Sequence, residues 1–351
     1  MRNPLLPQIH VPDPLDYPTI EPVPDSVQRP YWSVMIPTYN RPDYLREVLI
    51  SIIEQAPPPE DMQIMVVDNA STVGDIAGIV QDVGGGRIEY HRHPENIGLN
   101  RNWTSCIQLA RGHYVHMMHD DDLVMPGFYA AYRQHIETYG CNVMFSQAVS
   151  VDDERRWHRI TRRVAVRDGV VVNPLEVLFQ YHTFNMNSLV ASRDLYEQIG
   201  GYLSGLHHGC DHEICARLLR VGKVGFTDRP YVMARQHQGQ DSRKNLRESN
   251  MIHDYFLGFQ LALNDSDTPA NRRLVYDGLR DLLYNMSLHQ RHLRYYSNAL
   301  YLGWWAFRTS PNLQTAAHLV NTLYQRYIGL WLTGVRSLLG RFKRTIIGRA
   351  A

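Results

Sequence analysis

The chain has 351 residues, 44% of them apolar and 20% charged, a composition that belongs to folded globular proteins and excludes a disordered chain. Its 36 Lys+Arg and 35 Asp+Glu leave a formal charge of +1, which gives no reason to expect nucleic acid as a partner. No run of 18 apolar residues occurs, the N-terminal MRNPLLPQIH lacks the apolar core of a secretory leader, and four scattered cysteines outside any CxxC pair point to a reducing compartment.

Residues 1–30 hold eight of the 19 prolines and read as an extended arm, either wrapped on a surface or loose. Trp32–Ile36 reads as a buried strand stopped by Pro37. Tyr44–Gln55, with Leu45, Val48, Leu49, Ile52 and Ile53 at helical spacing, reads as an amphipathic helix ended by Pro57-Pro58-Pro59. Gln63–Val67 is a second strand running into Asp68-Asn69. A helix over 73–83, a turn at Gly84–Gly86, a short strand at Arg87–His91 and a helix over Asn102–Arg111 follow. The triple glycine precedes no GK[ST] and is not a phosphate loop. The strand His113–Met118 then runs straight into Asp120-Asp121-Asp122.

Such alternation predicts an α/β layer with a parallel sheet, and ligands of such sheets sit beyond the carboxyl ends of the strands. Pro37–Asn40, Asp68–Ser71 and Asp120–Asp122 are three such ends, each polar where a buried strand has just finished, and they should converge on one crevice. Farther on come a strand over Asn142–Val151, a basic stretch from Arg155 to Arg167, and helices over Pro174–Tyr181, Arg193–Gly200 and His212–Val221. Beyond Gln240 the pattern is helical.

Three adjacent carboxylates repel one another unless a cation neutralises them, and hard oxygen ligands suit Mg²⁺ or Mn²⁺ shared with substrate phosphates. A solvated acidic turn or helix cap is the bland alternative. Four segments decide between the two: Pro37-Thr-Tyr-Asn-Arg-Pro, Val66-Val-Asp-Asn-Ala-Ser-Thr, Asn96-Ile-Gly-Leu-Asn-Arg-Asn-Trp, and the run from Ala110 through Asp120-Asp121-Asp122 to Gly127. In this order and spacing, over roughly residues 32–245, the chain resembles a family 2 glycosyltransferase.

That resemblance implies a GT-A fold (α/β, Rossmann-like, with a mostly parallel sheet), a nucleotide-sugar donor and a divalent metal, Mn²⁺ or Mg²⁺. It implies that Pro37, Thr38 and Tyr39 cradle the nucleoside with Arg41 just beyond, and that Asp68 hydrogen-bonds the base. Asn102 falls within the nucleotide-side segment. Asp120 and Asp121 match the DxD-type pair, Asp120 near the ribose and Asp121 on the metal. His119 stands where many members carry the first Asp of that motif. Asp211, in Gly209-Cys-Asp-His-Glu, matches the carboxylate that deprotonates the acceptor hydroxyl in inverting members; as a residue it also reads as the N-cap of the helix at His212–Val221. His237 matches a histidine near the metal or diphosphate.

Rival chemistry is weaker. His207, His208, Asp211 and His212 offer zinc-type ligands, but consecutive histidines lack the HExxH spacing. His113, His116 and His119 fall on alternate faces of a strand and read as pocket-wall or structural residues. A sugar-nucleotide pyrophosphorylase, or a non-catalytic nucleotide-sugar-binding scaffold of the same fold, are the alternative functions.

The C-terminal segment has a different character. After Asp281 there is no acidic residue, and nine basic ones follow, from Arg291 to Arg349. At ~100° per residue, Tyr324, Tyr327, Ile328, Val335, Leu338, Leu339, Phe342 and Ile346 fall on one side, with Arg326, Arg336, Arg341, Lys343 and Arg344 on the other. That pattern suits either an anionic membrane surface or a packing face in a homo-oligomer. The expected organisation is a proline-rich arm (1–30), a catalytic domain (31–245) and a helical extension (246–351). The expected partners are a nucleotide-sugar donor and a glycan or lipid-linked saccharide acceptor, the expected location the cytoplasm, peripheral on its membrane face.

Overall fold

The structure, a computed structural model, describes residues 17–161, 168–181, 185–204, 206, 209–237, 254, 257–261, 268–292 and 295–326. By internal contacts the chain forms two compact units, Gln8–Ser266 and, together with Met1–Pro7, Asp267–Ala351. This places the boundary about 20 residues beyond the expected 245/246, and the reason is packing: in the segment 257–261, Leu257, Phe259 and Leu261 are buried, and the Phe259 ring lies 5.4 Å from that of Phe179.

The first unit is built on one sheet. Its strands are β1 (Trp32–Thr38), β2 (Met62–Asp68), β3 (Glu89–Arg92), β4 (Tyr114–Met117), β5 (Leu123–Val124), β6 (Val143–Val151), β7 (Trp157–Ile160), β8 (Asp168–Val170), β9 (Val190–Ser192) and β10 (Val224–Arg235). The order is β3-β2-β1-β4-β9-β6-β10-β5, with β7 on β6 and β8 on β10. β3, β2, β1 and β4 run parallel, as do β6 and β10; β9 is antiparallel to both its neighbours. Both faces of β1 are buried, which explains the unbroken run Trp32–Ile36 in place of an alternating one.

Helices α1 (Pro42–Ile53), α2 (Ile76–Gly84), α3 (Leu99–Leu109) and α4 (Phe128–Tyr139) connect or cover these strands. Their ends follow local chemistry. Pro42 sits in the first turn of α1, so that helix starts before the apolar pattern does. α2 starts later than expected because Asp75 caps it, its carboxylate accepting from the Gly78 N–H at 2.8 Å. Gly85 in the left-handed region (φ 52°) ends it, the role the triple glycine plays. The segment expected to be helical at Pro174–Tyr181 begins as α5 (Pro174–Glu176), capped by Asn173, and continues as a π turn over Val177–Tyr181. α6 (Arg193–Ile199) and α7 (Cys210–Val221) complete the unit.

The described part of the proline arm is wrapped on this unit. Ile20 is buried, Gly201 N–H donates to the Pro18 carbonyl at 2.8 Å, Arg193 reaches the Glu21 carbonyl at 2.8 Å, and Arg29 bonds the carbonyls of Arg111 and Gly112.

The second unit contains α8 (Pro269–His292), α9 (Tyr296–Thr309) and a helix over 313–326. Val275, Leu279, Leu283, Ala299, Leu302 and Ala306 form its interior, with His318 bonded to Ser287 at 2.7 Å. Among the described residues no helix is long and apolar enough to cross a membrane. Of the amphipathic stripe expected from Tyr324 to Ile346, all but Tyr324 lies outside the described residues, as do His207 and His208.

Candidate active site

The carboxyl ends of β1, β2 and β4 meet as the strand order requires. β1 delivers Thr38, whose hydroxyl donates to Asp120 Oδ2 at 2.7 Å. The next turn puts Asn40 in the left-handed region (φ 54°), where its side-chain oxygen accepts from the N–H groups of Thr72 and Val73 at 2.6 and 3.1 Å. Asn is among the few non-glycine residues that adopt this region readily, and here it clamps the β1 loop to the β2 loop. Arg41 follows. Its guanidinium donates to Asp121 Oδ2 at 2.8 Å, stands 3.5 Å from Asp120 Oδ1, and lies 3.0 Å from His237 Nε2.

The three aspartates are not equivalent. Asp122 is buried and satisfied by the protein: Oδ1 accepts from the Arg235 backbone N–H at 2.8 Å and Oδ2 from Asn187 Nδ2 at 2.7 Å. His119 Nδ1 stands 3.2 Å from the same Oδ2. Asp121 is shared by Arg41 and by His237 Nε2 at 3.0 Å. Burial and the neighbouring Asp121 charge push Asp120 up to about 7, although Arg41 and the Thr38 hydroxyl pull the other way.

His119 completes the cluster and was not anticipated as a ligand. With Nδ1 on Asp122, its Nε2 is buried and has no protein partner. Burial disfavours its charged form, but the hydrogen bond and charge of Asp122, with Asp121 and Asp211, outweigh this and carry it up to about 9. One ligand atom each of His119, Asp121 and Asp122 lie within 4.8 Å of one another. A carboxylate fixing one imidazole nitrogen while the other points at an ion is the usual support of a metal-bound histidine. The Asp121 carboxylate and this imidazole, with Asp122 behind it, therefore fit a divalent ion such as Mn²⁺. The signal in the sequence was adjacency: His119 directly precedes the triple aspartate.

Asp211 comes from the other side. It is not the helix cap: Gly209 (φ 74°) occupies that position, α7 starts at Cys210, and Asp211 lies in the first turn, where the helix dipole favours a carboxylate. Burial raises its pKa, partly countered by His119, so the two side chains are close enough for their charges to interact. The Cys210 thiol donates to Asp211 Oδ1 at 3.6 Å. Trp103 forms the wall here, its ring 5.3 Å from His119 and 5.1 Å from Tyr202.

A second ring of residues holds these in place. Arg235 donates from Nε to the Asp121 carbonyl at 2.9 Å and from its guanidinium to Glu47 at 2.7 Å. Tyr44 lies between Arg235, 4.6 Å above its ring, and His237, 4.6 Å away.

The remaining expected residues divide. Tyr39 is exposed at the mouth and Pro37 lies within β1, paired with Val67. Asp68 is fully buried, and its carboxylate is already engaged by the Ser71 N–H (2.8 Å), the Tyr90 hydroxyl (2.7 Å) and Arg92 (2.5 Å). In this structure its buried carboxylate shapes the β2–α2 loop; the base-reading role stays what the resemblance implies. Asn102 is likewise buried, its side-chain amide donating to the Val67 carbonyl at 3.3 Å.

A parallel-sheet α/β unit with a carboxylate cluster at its strand ends has the GT-A architecture. Two solved structures share it: TarS of S. aureus in complex with UDP-GlcNAc (TM-score 0.58, 17% identity, 83% of this chain and 79% of that one) and the mannosyltransferase PcManGT from Pyrobaculum calidifontis with GDP-Man and Mn²⁺ (TM-score 0.53, 20% identity, 95% and 90%). Residues 33–196 match the model of the glycosyl transferase family 2. Similar proteins include the uncharacterized protein MT1568 of Mycobacterium tuberculosis, 30% identical over 139 residues (40% of this chain, 43% of that protein). The abequosyltransferase RfbV of Salmonella typhimurium is 33% identical over 108 residues (30% and 32%). The chain spans less than half the length of these curated relatives.

Proposed function

We propose that the protein is a glycosyltransferase that moves a sugar from a nucleoside-diphosphate sugar to a hydroxyl of a glycan or lipid-linked acceptor, with inversion at the anomeric carbon. The observation that carries the reading is the single cluster in which Asp211, its pKa raised by burial, comes within charge range of His119 beside Asp120 and Asp121. In-line displacement needs a base on one side of the reacting carbon and an anion-compensating site on the other, and Asp211 and the Asp121 cluster are the groups we assign to these two roles.

Asp211 takes the acceptor proton as the acceptor oxygen bonds to the anomeric carbon and the bond from that carbon to the diphosphate oxygen breaks. A carboxylate with a raised pKa is a stronger base than an exposed one, and the Cys210 thiol orients it without neutralising it. Asp121 with His119 and His237 would hold Mn²⁺ or Mg²⁺, an ion that supplies positive charge to the leaving diphosphate. Arg41 lies at the same place and adds a fixed cation. Tyr39 at the mouth and the loop tied by Asn40 are the surfaces offered to the nucleoside. We favour UDP as the nucleotide, the donor type of the TarS structure solved with UDP-GlcNAc, with GDP, the type carried by PcManGT, behind it. All four cysteines are free and buried, which supports work in a reducing compartment.

The test is Asp211→Asn. Donor binding, read by calorimetry, should stay within about twofold, while transfer falls by about 10²- to 10⁴-fold. Transfer at the wild-type rate in this variant would remove Asp211 from the mechanism.

A further inference from the structure

The helical unit carries a surface that its own packing leaves unused. In α9, Ala299, Leu302, Gly303 and Ala306 are buried, and a Cβ added at Gly303 would meet Leu319 Cδ2 at 3.0 Å, so this face is pressed against the next helix. Ser297, Tyr301, Trp304 and Arg308 recur at i, i+4, i+7 and i+11. At about 100° per residue they run along the opposite face. The helix over 313–326 repeats the arrangement. Thr315, His318 and Thr322 are buried, and Leu313, Ala317, Val320 and Tyr324 take the same spacing on the outer side.

All eight of these outer residues are exposed. The large ones are markedly so: Leu313 90%, Val320 66%, Tyr324 63%, Trp304 51% and Tyr301 49%. Helices facing water normally set charged residues there, and two adjacent helices that instead set aromatic and aliphatic side chains there offer a binding surface.

Charge selects the occupant. The stretch after Asp281 has nine basic residues and no acidic one, so a second copy of the chain would bring cation against cation. Anionic lipid suits it, because headgroups attract Lys and Arg by about 1 kcal/mol each while Trp and Tyr settle at the interface. We propose that the outer face of residues 296–326 docks on an anionic lipid surface. Tyr301, Trp304, Val320 and Tyr324 enter the interfacial layer, and Arg308, exposed on the same stripe, meets the headgroups. The inference stands apart from the transferase reading, since lipid binding is read without donor or acceptor.

Sedimentation of the full-length chain with sucrose-loaded vesicles tests it. Vesicles of 30% phosphatidylglycerol in phosphatidylcholine should carry the protein down at least tenfold more effectively than phosphatidylcholine alone, and 0.5 M NaCl should weaken that binding. The double variant Trp304→Ser/Tyr324→Ser changes only exposed side chains and should melt at the wild-type temperature while binding vesicles at least tenfold more weakly. Absence of sedimentation with anionic vesicles overturns the proposal, as does equal binding to both vesicle types. So does undiminished binding by the double variant, which would place the contact elsewhere. A concentration-dependent dimer in light scattering that the double variant abolishes reassigns the face to self-association and overturns the proposal too.

Discussion

At the scale of single residues, position 119 decides what the carboxylate cluster can hold. The resemblance leads one to expect a carboxylate there; the chain supplies an imidazole fixed by Asp122 at 3.2 Å, with Nε2 buried and unpartnered. The same geometry separates the three aspartates. Asp122 accepts from backbone and side-chain donors and is bound into the fold, whereas the Asp121 carboxylate is engaged by the Arg41 and His237 side chains. His119→Ala and Asp121→Asn should therefore each weaken Mn²⁺ binding by about 10- to 100-fold, the range seen when a ligand or its support is removed, and Asp121→Asn should leave the melting temperature of the metal-free protein near wild type. Asp122→Asn should do the reverse in part: it leaves a buried Asn187 and the Arg235 N–H poorly matched, lowering stability by about 1–3 kcal/mol. Titration calorimetry with Mn²⁺ and thermal melts of the three variants check both halves. An unchanged Mn²⁺ affinity in His119→Ala would reduce that residue to a wall of the pocket.

At the scale of elements, the site depends on where β4 stops relative to β1. Gly112 sets that placement. Its N–H donates to Ser33 Oγ at 2.8 Å, and a Cβ there would fall 2.6 Å from the Trp32 carbonyl carbon and 2.7 Å from Ser33 N, both backbone atoms of β1 that cannot step aside. Gly112→Ala should cost about 1–3 kcal/mol in urea unfolding and misplace the aspartates that β4 delivers; a loss below about 0.5 kcal/mol would show that the strands can separate at no penalty. Strands of this kind were legible because both faces are buried, so β1 and β2 stand out as apolar runs, and the three polar strand ends converge as their positions imply. Helix ends were less legible: α1, α2 and α7 begin where Pro42, Asp75 and Gly209 put them, through cap chemistry that an apolar period does not contain. Long-range partners were not legible at all. That Arg92 and Tyr90 engage Asp68, or that Arg235 braces the Asp121 carbonyl 114 positions away, follows from sheet order and cannot be read from spacing.

At the scale of the whole molecule, each compact unit holds a deeply buried histidine kept neutral, His116 in the first and His318 in the second, and each contributes to the response to acid. In the first unit, His116 Nε2–H donates to the Asn187 carbonyl at 2.9 Å, and the Tyr129 hydroxyl donates to Nδ1 at 3.2 Å, so both nitrogens are satisfied without charge. Burial lowers its pKa to about 4. In the helical unit the Ser287 hydroxyl donates to the Ala299 carbonyl, which obliges His318 Nε2–H to donate to Ser287; burial, then the Arg291 charge, lowers this histidine to about 4 as well. A histidine whose folded pKa lies below its unfolded value of about 6.5 is protonated first in the unfolded chain. Its stabilising contribution is complete above about pH 6.5 and is lost as the pH falls toward 4, with His116 accounting for roughly 3 kcal/mol at the lower end. Asp120 and His119, both raised, act in the opposite direction as the pH rises, so the two effects are separable by substitution. Calorimetric melts from pH 7.5 to 4.5 should show the helical unit losing stability and His318→Asn flattening that slope, while in the sheet unit the loss at His116 is opposed by Asp120 and His119 and the substitution leaves its slope unchanged. If the slope of the helical unit is the same in wild type and His318→Asn, its acid response comes from other groups and the buried neutral histidine is not what governs it.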